Sequence, residues 1–195
     1  KEMLINKNNF YKLFVLLGLF CLPIILNNSY YIDDNVRIVT GNPAWSWVGR
    51  PFANYLYYFF SYNKIIDDIF PMSLLMGIGF FCLVISNVIK EDCNWKKLVP
   101  FSFIVVNPFF LQNLNYRFDS LPMIMAISLA TYAFFYRNSQ SKLKNYGVPI
   151  ASLILCLGLY QPCANVFLML TSGNLLVKIK NEDKFHLLVK NAILY

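Results

Sequence analysis

The sequence predicts an all-α fold: a polytopic bundle of about six transmembrane helices with the N-terminus cytoplasmic. Three observations predict it. Hydrophobic residues make up 57% of the 195 and charged residues only 14%, against roughly 45–50% and about 25% in a soluble domain. Mean hydropathy is +0.48. The charges are clustered, which leaves five stretches without any, at residues 13–32, 69–89, 98–116, 120–136 and 145–177. Aromatic residues at 17% suit a chain with long boundaries between hydrocarbon and water.

In chain order, Lys7 and Lys12 precede the first stretch. The Asn27-Asn28-Ser29-Tyr30-Tyr31 run that follows lacks a small-residue cleavage site, so residues 13–32 read as a first crossing rather than a cleavable signal. Residues 27–68 form a large outer loop, and within it the uncharged aromatic run 51–60 reads as a helix lying in the membrane interface. The second, third and fourth stretches are each close to the ~20 residues that span a bilayer, with Pro71, Pro100 and Pro108 set to kink or end helices. The fifth is too long for one crossing. Gln161-Pro162 interrupts it, so it reads as a hairpin, residues 148–160 followed by 163–177. Residues 185–195 resemble the opening of another apolar segment, and the chain is expected to be part of a longer protein.

Charge placement supports the hairpin. With six crossings, 13 of the 17 Lys and Arg residues fall on the N-terminal side, as the positive-inside tendency requires. A single crossing in the fifth stretch would split them 9 against 8. The formal charge of +7 is therefore topology rather than a surface for nucleic acid.

Several chemistries are excluded by residue type. The five cysteines contain no C-x-x-C pair and fit small buried hydrophobes. His186 is the sole histidine and falls on the inner side beside Lys184, so no histidine-based triad or zinc site is expected. Gly77 and Gly79 lie mid-span, where glycine serves close helix packing rather than phosphate binding.

The outer face differs. Three of the four arginines lie there (Arg37, Arg50 and Arg117), whereas the inner cations are lysines apart from Arg137. Topology needs only positive charge, but a guanidinium is a rigid fork suited to phosphate. Asp33 and Asp34 sit where the first crossing ends, one helical turn before Arg37. They read either as a helix cap with a surface ion pair, or as adjacent carboxylates of which one has a pKa raised enough for base chemistry. Arg117 and Asp119 read as a polar turn with Asp119 capping the next helix, or as a phosphate or sugar ligand and its orienter. Gly49-Arg50-Pro51 reads as a turn with an anchoring arginine, Asp67-Asp68 as a cap for the second crossing, and Tyr160-Gln161-Pro162 as a hairpin turn on the same face.

Residues 30–37 (Tyr-Tyr-Ile-Asp-Asp-Asn-Val-Arg), Gly41, Trp45 and Gly49-Arg50-Pro51 resemble the start of the serotype-converting, Gtr-type O-antigen glucosyltransferases. The resemblance continues through Asn107-Pro108-Phe109-Phe110, the specific run Tyr116-Arg117-Phe118-Asp119-Ser120-Leu121-Pro122, and Leu159-Tyr160-Gln161-Pro162. It implies a GT-C fold, with residues 1–195 as an N-terminal membrane-embedded catalytic module in the bacterial inner membrane and its active site facing the periplasm. It also implies a polyprenyl-phosphate sugar donor, typically glucose, and a glycan acceptor on O-antigen or another surface polymer. A carboxylate of the first outer loop would be the general base, here Asp34 or Asp33. Spacing to Arg37 slightly favours Asp34. Arg37, Arg50, Arg117, Asp119 and Gln161 would contact donor phosphate or sugar. No cofactor is required by the sequence, and a divalent metal (Mg or Mn), used by some GT-C enzymes, is left open. A transporter or flippase for a lipid-linked glycan is the alternative. It is disfavoured by acidic residues confined to boundaries and by the lack of a repeat.

Overall fold

The structure, a computed structural model, describes residues 6–27, 29–61, 66–89, 91–136 and 141–181. These residues are all-helical, without a strand. The apolar run 185–195, His186, Lys64 and Arg137 lie outside the described residues.

Helix α1 (Lys7–Asn27) buries Asn9, Leu13, Leu17 and Cys21. Their spacing of four puts them on one stripe, while Val15, Leu19 and Leu26 on the other faces are exposed. In the outer segment lie α2 (Asp33–Thr40), a 3-10 turn (Trp45–Val48) and α3 (Pro51–Ser61). Helix α2 stops at Gly41, whose φ of 63° permits the left-handed cap that bonds back to the Arg37 carbonyl. Helices α4 (Met72–Val88), α5 (Trp95–Ser102), α6 (Pro108–Leu114), α7 (Ser120–Phe135), α8 (Lys142–Tyr160) and α9 (Ala164–Asn181) follow.

Helix α7 is apolar all round and buried over most of its surface, so it forms the centre of the bundle, with α4, α8 and α9 packed on it. Gly77 permits the α4 contact, because a Cβ there would meet Ile124 Cδ1 at 2.9 Å. At one end of the bundle, Asn9 ties α1 to the turn after α4. Its amide donates to the Ile89 and Glu91 carbonyls and accepts from the Cys93 N–H. Lys12 pairs with Asp92 beside it. The five cysteines are buried and free.

The expectation of about six crossings is corrected. Two helical stretches, Lys7–Asn27 and Lys142–Lys180, are long and apolar enough to cross a membrane, and Met72–Val88 and Ser120–Phe135 are apolar but shorter. The third expected crossing is broken into α5 and α6. Asn107 is extended and its side chain accepts from the Phe110 N–H at 2.9 Å, so it caps a fresh helix that opens on Pro108. An uncharged run is a statement about solvent, and this one contains a helix start. The break at Gln161-Pro162 is present: Tyr160 is extended, a 3-10 turn follows, and α9 packs on the same helix α7 as α8 does. The Asp67-Asp68 cap is also corrected. Helix α4 begins after Pro71 without a side-chain cap, and Asp68 accepts instead from the Phe70 N–H.

Candidate active site

The polar residues of the opposite end meet where α2, the 3-10 turn, the start of α3, the turn before α7 and the end of α8 converge. Asp34 is fully buried. Its carboxylate accepts the backbone N–H groups of Arg117 at 2.8 Å and Tyr31 at 3.3 Å, with Phe118 N–H at 3.5 Å. Burial is the largest influence on this carboxyl and raises its pKa, and the three N–H groups oppose the shift. Asp34 thus staples the first helix of the outer segment to the turn that opens α7.

Asp119 stands at the N-cap position of α7 but makes no side-chain cap bond. It is 3% exposed and forms the electrostatic hub of the site. The Trp45 indole N–H donates to its Oδ1 at 2.6 Å, Arg37 pairs with its Oδ2, and Arg50 Nη1 lies 3.5 Å from Oδ1. Burial raises this carboxyl, and the two guanidinium groups and the indole pull against it. Arg37 also lies 3.8 Å from Asp34 and stacks over the Trp45 ring.

Arg117 is held away from this hub. Its Nε pairs with Asp68 Oδ2 at 2.9 Å, and its guanidinium is sandwiched between Tyr30 and Phe70 at 4.6 and 4.7 Å. Gln161 donates to the carbonyls of Gly49, at 2.5 Å, and Val48. Gly49 has φ 74°, and a Cβ there would meet the Gln161 amide nitrogen at 2.8 Å. The turn after α8 is therefore strapped to the turn that carries Arg50.

Two cavities open here. One, of about 300 Å³, is lined by Asp33, Arg50, Asn113, Tyr116, Asp119, Tyr160 and Met123 of α7. The other, of about 290 Å³, is built wholly from the outer segment 33–50. Asp33, exposed and next to the staple, lines both, and so does Arg50. Arg50 stacks on Tyr160 at 4.4 Å, and its Nε is buried without a hydrogen-bond partner among the described residues.

The site thus gathers Asp33, Asp34, Arg37, Arg50, Asp119 and the Arg117 backbone, and places the Arg117 and Gln161 side chains in supporting contacts outside the cavities. Trp45 and Asp68, the partners of Asp119 and Arg117, were not singled out for those roles. For Trp45 a signal existed, because a buried indole needs an acceptor for its N–H. No group of three His, Cys, Asp or Glu side chains is close enough to hold a metal ion among the described residues, and the buried carboxylates already face N–H groups and guanidiniums.

The glucosyl transferase GtrII family profile matches residues 22–195, nearly the whole chain. The chain belongs to the GtrII family. A curated protein of Salmonella phage P22, described as an uncharacterized 55.3 kDa protein in the gtrB 5' region, is 28% identical over 196 residues. That alignment covers 97% of this chain and 40% of the phage protein, so the chain spans well under half the length of this relative. No solved structure matches. In this GtrII family member, the two cavities and the Asp119 hub lie inside the matched region.

Proposed function

We propose that the full-length protein is a membrane glucosyltransferase that moves glucose from a polyprenyl-phosphate donor to a surface glycan, on the outer face of the bacterial inner membrane. The observation that carries this reading is that one cavity presents both a carboxylate, Asp33, and a guanidinium with an unengaged buried donor, Arg50. Membership of GtrII supports the sugar chemistry, and the exposed leucines of α1 and α8 support a lipid surround. On this reading the bundle is of GT-C type, and α4 and α7 contribute to its membrane part.

The cavity that reaches Met123 and Tyr160 lies against the ends of the apolar helices α7 and α8, where a lipid-linked donor would arrive. The Asp33 carboxylate takes the proton of the acceptor hydroxyl as that oxygen bonds to the anomeric carbon. The bond from the anomeric carbon to the phosphate oxygen breaks with inversion, and its electron pair leaves on the lipid phosphate. Arg50 neutralises that charge. Asp119 and Tyr160 hold Arg50 in place, and Asp34 and Arg37 position the Asp33 turn. No step requires a metal.

Purified full-length protein in detergent, given radiolabelled polyprenyl-phosphate glucose and host O-antigen oligosaccharide, is expected to form labelled glycan and release polyprenyl phosphate. A flippase would need a second compartment and make no product in detergent, so an absence of product would overturn the proposal.

A further inference from the structure

The two cavities share Asp33 and Arg50 but differ in everything else. The first is walled by the amides of Gln112 and Asn113, two tyrosines and Asp119. The second combines apolar walls (Val36, Pro43, Ala44 and Val48) with polar groups from Asn42 and Arg37, over the buried Trp45. It contains no residue of α7 or α8. A pyranose has an apolar C–H face and a polar hydroxyl rim, and a small pocket of mixed lining matches that shape.

We infer that the second cavity is the acceptor-saccharide subsite, with Val36 and Val48 as the residues that set which sugar fits. The inference rests on the glucosyl-transfer reading above and adds where the acceptor enters and what selects it. An acceptor hydroxyl held there meets Asp33 on the wall common to both cavities, and the donor lies beyond it. Each substrate then approaches from its own side, the lipid-linked one from the helix ends and the glycan from the aqueous outer segment.

The test narrows the second cavity from two independent walls. Val36 is 63% and Val48 56% exposed, so neither V36W nor V48W overpacks the core. In full-length protein, with a short-chain polyprenyl-phosphate glucose and the O-antigen repeat oligosaccharide, both variants are expected to raise the acceptor KM roughly 10–200-fold. The donor KM should stay within about twofold, since the first cavity is untouched. Unchanged acceptor KM values in both variants, or an equal rise in the donor KM, would overturn the subsite. Absence of transfer by the unsubstituted protein would overturn the glucosyl-transfer reading along with it.

Discussion

At the residue scale, the adjacent aspartates have opposite environments, and on the proposed reading this separates their roles. Asp34 is buried and accepts three backbone N–H groups, whereas Asp33 is exposed on both cavities. Spacing to Arg37 slightly favours Asp34 as the base, yet spacing records only that the two can pair; on the proposed reading the exposed Asp33 is the base. Replacing Asp34 with Ala orphans the N–H groups that stitch α2 to the turn before α7, and the expected outcome is loss of the folded protein, seen as a collapsed melting transition in detergent. Arg117→Ala removes the cation paired with Asp68, which keeps the Phe70 N–H and the Tyr30 hydroxyl, and it removes two ring contacts. It should cost about 3 kcal/mol of stability while leaving the donor KM of the surviving enzyme unchanged, because the guanidinium lies outside the cavities. Arg50→Lys keeps the charge but loses the fork and the stacking on Tyr160. The reading expects kcat to fall on the order of 100-fold in a steady-state assay.

At the element scale, α3 is the piece that fastens the outer segment to the bundle. Its Phe52 ring lies flush on Gly158 of α8, where a Cβ would come within 2.1 Å of the ring. Gly158→Val should therefore destabilise the protein by about 1–3 kcal/mol. Phe52→Ala in the same chain should recover part of the loss, and a double-mutant cycle of melting temperatures checks the coupling. The helix itself was legible, since an uncharged aromatic run opened by proline and bounded by polar turns has few other solutions. The division of residues 98–116 into α5 and α6 was legible only in part. Asn107-Pro108 marks it, whereas Pro100 sits inside α5 without ending it. The seat of Asp68 was not legible, because its partner Arg117 reaches it only through the packing of distant segments.

At the scale of the whole molecule, polar chemistry is concentrated at the two ends of an apolar bundle. One end holds the Asn9 clasp and the Lys12–Asp92 pair, the other the Asp119 hub. On the proposed topology the first end faces the cytoplasm. Because the native cysteines are buried, an introduced thiol reports its own side. Asn42→Cys is expected to react with an impermeant maleimide in spheroplasts, and Lys96→Cys only after permeabilisation. The reverse pattern would invert the topology. All-helical character and the clustering of Asp and Arg could be read from composition and charge order, whereas the first cavity exists only because segments far apart in the chain fold onto one another. The central claim is that Asp33, and not its buried neighbour, takes the acceptor proton. The most direct measurement is the single-turnover rate of glucose transfer by full-length Asp33→Asn protein, alongside its melting transition in detergent. The expected result is a rate lowered by about 10²–10⁴-fold in a protein that melts like the unsubstituted one. Transfer at the unsubstituted rate by well-folded Asp33→Asn would contradict it.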